Sequence, residues 1–182
     1  QLVTADVFYR VVDMMIEDSR PEMKLLGILA AGSTPSLMSF QVIADMMKAE
    51  RPGSDAQKYA DGFLNRYTDL GHLNILEKVL QAPTSSHVTV LAAARVEIAV
   101  QRHLKPANPS EPAAATAMTK NAGHFQRFQL ILQDLVSTSK DQAVKDQATR
   151  TLATLQSALS PVPTTTAGLQ VDESFPAQAQ TP

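Results

Sequence analysis

The chain has 182 residues, 44% of them apolar and 19% charged, with 16 Lys and Arg against 18 Asp and Glu. That length suits one domain burying its own core, and the lack of Cys excludes disulfides, thiolate metal sites and cysteine nucleophiles. Every Lys and Arg lies at or before Arg150, so the part before the tail is neutral and has no electrostatic pull toward nucleic acid or anionic lipid; no run of about eighteen apolar residues predicts a membrane-spanning helix.

Apolar spacing predicts a first helix over Ala5 to Asp18, with Val7, Phe8, Val11, Val12, Met15 and Ile16 as its inner stripe and Thr4 as its N-cap. Ser19-Arg20-Pro21 ends it and starts a second helix, which Gly32 is expected to stop. Thr34-Pro35 opens a third, Ser36 to about Glu50, and Arg51-Pro52-Gly53 closes it. Ser54 and Gln57 have capping-box spacing and begin a fourth, with Tyr59, Ala60, Phe63, Leu64 and Tyr67 predicted inward and Lys58, Asp61, Asn65 and Arg66 on the opposite, polar side. A short fifth helix runs from about His72 to Gln81.

The sixth, Ser86 to Leu104, is the most apolar: between Val88 and Val100 only Thr89, Arg95 and Glu97 interrupt it. A helix apolar on nearly every side is normally enclosed, so this one is predicted to be central, packed by the fifth, fourth and eighth helices. Lys105 to Thr116 contains three prolines and reads as the longest internal connection. The seventh helix is predicted over about Met118 to Val136, burying Phe125, Phe128, Ile131, Leu132 and Leu135, and the eighth over about Asp141 to Leu159. Residues 160–182, rich in Pro, Thr, Ala and Gln, read as a disordered tail or linker, with Leu169 to Phe175 the one stretch able to dock.

No segment reads as a strand, so the predicted class is all-α. An internal repeat follows the second helix of each pair. Asp18, Met23-Lys24, Gly27 and Ala30-Ala31 have counterparts in Asp141, Val144-Lys145, Ala148 and Leu152; the fourth helix (Asp55, Lys58, Ala60) and the sixth (Val88-Thr89, Ala92) fit more loosely. This pattern resembles the HEAT and armadillo-like helical repeats over Ala5 to Leu159. The resemblance implies four helix pairs in a right-handed alpha-alpha superhelix over residues 1–159, with the second helices lining a concave binding surface. An irregular helical bundle is the alternative.

His72, His87, His103 and His124 show no metal-ligand spacing, and no phosphate-binding or nucleophile-elbow motif is present. Neither metal nor cofactor is predicted, and the leading expectation is a non-catalytic scaffold that binds a protein or peptide. Contact residues on the second-helix face would be Lys24, Lys58, Asp61, Asn65, Arg66, Arg95, Arg102 and Lys145. The rival is an enzyme or cofactor holder on the same stack, using Asp61, Glu97, His103 and His124. Arg95 and Glu97, two residues apart, must point to different sides, and a structural ion pair is the favoured role for Arg95. The six Met before Ala49 read as core filler. Gln1 in place of an initiator Met suggests a processed chain or fragment, and with the tail it resembles a bacterial envelope or secreted protein; a cytoplasmic location is the alternative.

Overall fold

The computed structural model describes residues 5–105 and 112–160. Thr4 as a cap, the middle of the proline-rich connection and the tail after Ser160 lie outside the described residues. The described chain is all-helical: α1 (Ala5–Glu17), α2 (Pro21–Ser33), α3 (Leu37–Ala49), α4 (Asp55–Asn65), α5 (Leu73–Gln81), α6 (Ser86–Leu104), α7 (Pro112–Thr138) and α8 (Gln142–Leu159). Two short 3-10 turns, Arg66–Thr68 and Leu70–His72, join α4 to α5.

Helix starts follow local chemistry. Pro21 sits at the start of α2, with Glu22 in the first turn. Ser36, Ser54 and Ser85 accept the backbone N–H of Ser39, Gln57 and Val88, and Asp141 accepts those of Ala143 and Val144. Hydrogen bonds from Ser86 and from the Ala143 and Val144 amides hold the Asp141 carboxyl below its usual range. At the α1–α2 turn, bonds from the Arg20 side chain and backbone lower Asp18 to about 2. Between α3 and α4, Gly53 turns the chain at φ +81°, a conformation that favours glycine.

Two boundaries differ from the sequence-based expectation. Gly32 does not stop α2; the helix continues to Ser33, Thr34 leaves it in an extended conformation, and Pro35 follows. Gly32 is instead a packing residue, because a Cβ there would collide with the Phe63 ring. Likewise α7 begins at Pro112 rather than near Met118. A proline at the first helical position loses no intrahelical hydrogen bond, and the alanines after it are the best helix formers.

Each odd helix packs on the even helix that follows it. The odd helices also touch in sequence, α1 on α3, α3 on α5 and α5 on α7; among even helices α2 meets α4 and α6 meets α8, while α4 and α6 do not pack closely. One apolar cluster runs from Val12 in α1 through Phe40, Leu64, Leu76, Val96 and Phe128 to Leu155 in α8. α6 lies at its centre, with nine buried residues and neighbours α3, α5, α7 and α8. The predicted α4 neighbour is replaced by α3. The fully buried Ala92, Ala99 and Ala148 and nearly buried Ala93 are small enough for helices to approach closely, and Thr151 donates to the Ala93 carbonyl at 3.1 Å across the α6–α8 contact.

Two inner stripes are also corrected. Val12 of α1 is buried as expected, but Val7 and Val11 are exposed and Tyr9 is buried in their place. The apolar arc of this helix is too wide to fix which side turns inward. The choice is made by the Tyr9 hydroxyl, which shares hydrogen bonds with Ser36 Oγ (2.6 Å) and buried Ser39 Oγ (3.0 Å). Tyr67 is buried as predicted, edge-on to Phe40, and burial raises its hydroxyl pKa; Tyr59 is 53% exposed, against expectation. Phe63, not Tyr59, meets α2, at the gap that Gly32 leaves.

Candidate functional site

Charged groups at the middle of a helix-packed core must either pair or cost several kcal/mol, and their partners decide which of the eight predicted contact residues are free for a ligand. Arg95 is the most deeply placed, with 8% of its side chain exposed. Its Nη1 donates to Asn65 Oδ1 at 2.8 Å and its Nη2 to Asp61 Oδ1, while Nε is buried without a partner. The guanidinium thus spans the α4–α6 gap that backbone packing leaves open. Asp61 and Asn65 on the polar side of α4 reach toward α6, whereas Lys58 and Arg66 are more exposed.

Glu97, two residues on, turns the other way toward α8. It accepts from Gln147 Nε2 at 3.0 Å and Thr154 Oγ1 at 3.4 Å, and Arg150 Nη2 donates to Gln147 Oε1. The two polar residues of α6 therefore tie it to α4 on one side and α8 on the other, the divergence expected from their spacing.

The remaining predicted residues fall into two groups. Lys24 bonds Glu50 at 2.9 Å in a partly buried pair, and Arg66 Nη1 donates to the Gly32 carbonyl at 2.8 Å. Lys58 with Asp55 (3.2 Å) and Arg102 with Asp69 (2.8 Å) are exposed pairs, and Lys145 is partly buried on α8. Exposed pairs contribute about 0–1 kcal/mol, so Lys58 and Arg102 can exchange partners at small cost; Arg95 cannot.

Around Lys58 the surface is concave. One depression of about 390 Å³ is lined by Met47, Gln57, Lys58 and Asp61, and an adjoining one of about 360 Å³ by Asp55, Lys58 and Tyr59. Lys58 belongs to both, and the exposed Tyr59 ring stands beside it. Tyrosine offers a large contact area and a polar tip for few rotatable bonds, which suits it to binding surfaces. The sequence offers Tyr59 as a binding aromatic too, but its place on the inward stripe of the helical wheel argued against that role.

The four groups of the rival catalytic reading serve separate partners. Asp61 is bound to Arg95 and Glu97 to Gln147; the His103 ring bonds the Thr68 carbonyl at 3.0 Å, and His124 is exposed. His87 and His72 likewise bond the carbonyls of Ala44 and Arg66, each at 3.0 Å, so these histidines join elements. Among the described residues no three His, Asp or Glu side chains converge at metal-ligand distances, and no helix is long and apolar enough to cross a membrane.

Comparison with known protein families, with curated proteins and with solved structures found no match.

Proposed function

We propose that the chain is a helical-repeat scaffold, a right-handed alpha-alpha superhelix of four pairs, that binds another protein or a peptide without catalysing a reaction. The contacts of the odd helices in sequence, with those of α2 on α4 and α6 on α8, support the superhelix, and the Arg95 side chain bridges α4 to α6 where the backbones stand apart. The observation that carries binding is the pair of depressions meeting at Lys58 beside the exposed Tyr59. Lys58 and Tyr59 on α4, Arg66 in the turn that follows it and Arg102 on α6 are the contact residues; Lys24, Asp61, Asn65 and Arg95 hold the scaffold's shape, and Lys145 lies at the far end of the even series.

The test is capture of partners on immobilised protein, comparing wild type with Lys58→Glu/Tyr59→Ala/Arg102→Glu. Far-ultraviolet circular dichroism checks that the variant folds. Loss of the captured species is expected, and full recovery on the folded variant would remove this face from the account.

A further inference from the structure

A second concavity lies between α1 and α3. These helices meet near their N-terminal ends, where Tyr9 bonds Ser36 and Ser39, and part toward their C-terminal ends. The gap is a groove of about 570 Å³, closed at the far end by the Lys24–Glu50 ion pair. Ile16, Val42, Met46 and Ala49 supply its apolar lining, and Asp13, Glu17 and Asp45 supply carboxylates. None of those three acids takes part in an ion pair within 4.0 Å among the described residues. Asp45 accepts only a long bond from Ser85 Oγ at 3.5 Å, and partial burial, then the nearby Glu17 charge, raises the Asp13 carboxyl above its ordinary pKa.

We infer that this groove binds a lysine-bearing peptide segment of a partner protein. An apolar lining edged by unpaired carboxylates is the complement of a lysine side chain, whose methylene stem buries against aliphatic surface while the ammonium stays at a charged, wet edge. Lys24, the one basic side chain in the lining, is engaged by Glu50, so Asp13, Glu17 and Asp45 leave the groove net negative and charge complementarity selects a basic occupant over an acidic or neutral one. The groove's size is that of a site for a few side chains. It shares only Lys24 with the residues predicted for the even-helix face, and the two readings stand or fall separately.

The experiment uses a fluorescein-labelled peptide of alternating lysine and leucine, with binding followed by anisotropy at low and high salt. Asp13→Asn/Glu17→Gln/Asp45→Asn is expected to weaken binding about tenfold or more, and raised salt to weaken wild-type binding. A control with equal charge removed elsewhere, Glu22→Gln/Asp55→Asn/Asp134→Asn, is expected to bind within about twofold of wild type, and so is Lys58→Glu/Tyr59→Ala/Arg102→Glu. Equal losses in the groove and control variants would overturn the inference by showing attraction to net charge alone. Binding of a glutamate and leucine peptide, or 1,4-diaminobutane competing as well as the unlabelled lysine peptide, would also overturn it. Retained lysine-peptide binding together with full partner recovery by the Lys58 variant would remove the even-face reading alone.

Discussion

The first four helices and the last three treat their apolar residues differently. α1 buries Tyr9 and Val12 yet leaves Val7, Val11 and Met14 in solvent, and Leu26 and Leu29 of α2, Met38 of α3 and Tyr59 of α4 are exposed as well. In α6, α7 and α8 the one large exposed apolar residue is Leu130, among the described residues. The three concavities described above lie in the first half, while buried small residues bring helices together in both halves, Gly27, Gly32 and Ala31 in the first and Ala92, Ala93 and Ala148 in the second. Of these exposed apolar residues Tyr59 is the one that lines a described depression, where a partner could cover it. On the proposed function, the first half would present the binding surfaces, and the second, with α6 at the centre of the core, would anchor them.

The largest effect should come from breaking the anchor. Ala92→Glu forces a carboxylate into a fully buried alanine site and should cost about 4 kcal/mol or more, read as loss of the cooperative thermal transition. Asp61→Ala strands the buried Arg95 guanidinium with Asn65 alone. A loss of about 2 to 3 kcal/mol in urea unfolding is expected, at the low end for a buried pair because the Asp61 side chain is 48% exposed. Gly32→Ala pushes a methyl group into the Phe63 ring; the overpacking outweighs the gain in helix propensity, for a net loss of about 1 kcal/mol.

The smallest effect has the opposite sign and sharpens the contrast. The Asp13 carboxyl is raised by burial and by Glu17, so its ionised form is disfavoured in the fold. Asp13→Asn should then raise the melting temperature slightly at neutral pH. Because the folded pKa lies above the unfolded one, the gain is full above the folded value and vanishes once pH falls below the ordinary 3.8, where both states are protonated. The same variant is expected to bind the lysine peptide less well, so stability and binding move in opposite directions at this residue. A fall in melting temperature would show that Asp13 has a structural role instead.

Most helices were legible because their starts rest on local chemistry: Pro21, Thr34-Pro35 and Ser54 signal a start whatever the tertiary context, although the caps of α3 and α6 proved to be Ser36 and Ser85. The central place of α6 was legible from its composition, and the divergence of Arg95 and Glu97 from their spacing. What failed depended on long-range choices. The inward side of α1 is set by a hydroxyl bond to residues 27 and 30 positions away, which no helical wheel contains. Gly32 reads as a stop until Phe63 is seen against it, and Pro112 reads as loop until the alanines behind it form a helix. The α1–α3 groove could not be read at all, because it is a consequence of two helices parting rather than of any residue pattern. The Lys58 depressions were half legible: their charges were named, but Tyr59 was turned inward.

Residue-resolved hydrogen exchange on the free protein tests the division between surface and anchor most directly. Amides in the middle of α6 and α8 should exchange only through global unfolding, and those of α1 and α2 through local opening at markedly lower free energy. Equal protection of α1 and α6 would contradict the account, because the first half would then be as firmly anchored as the second.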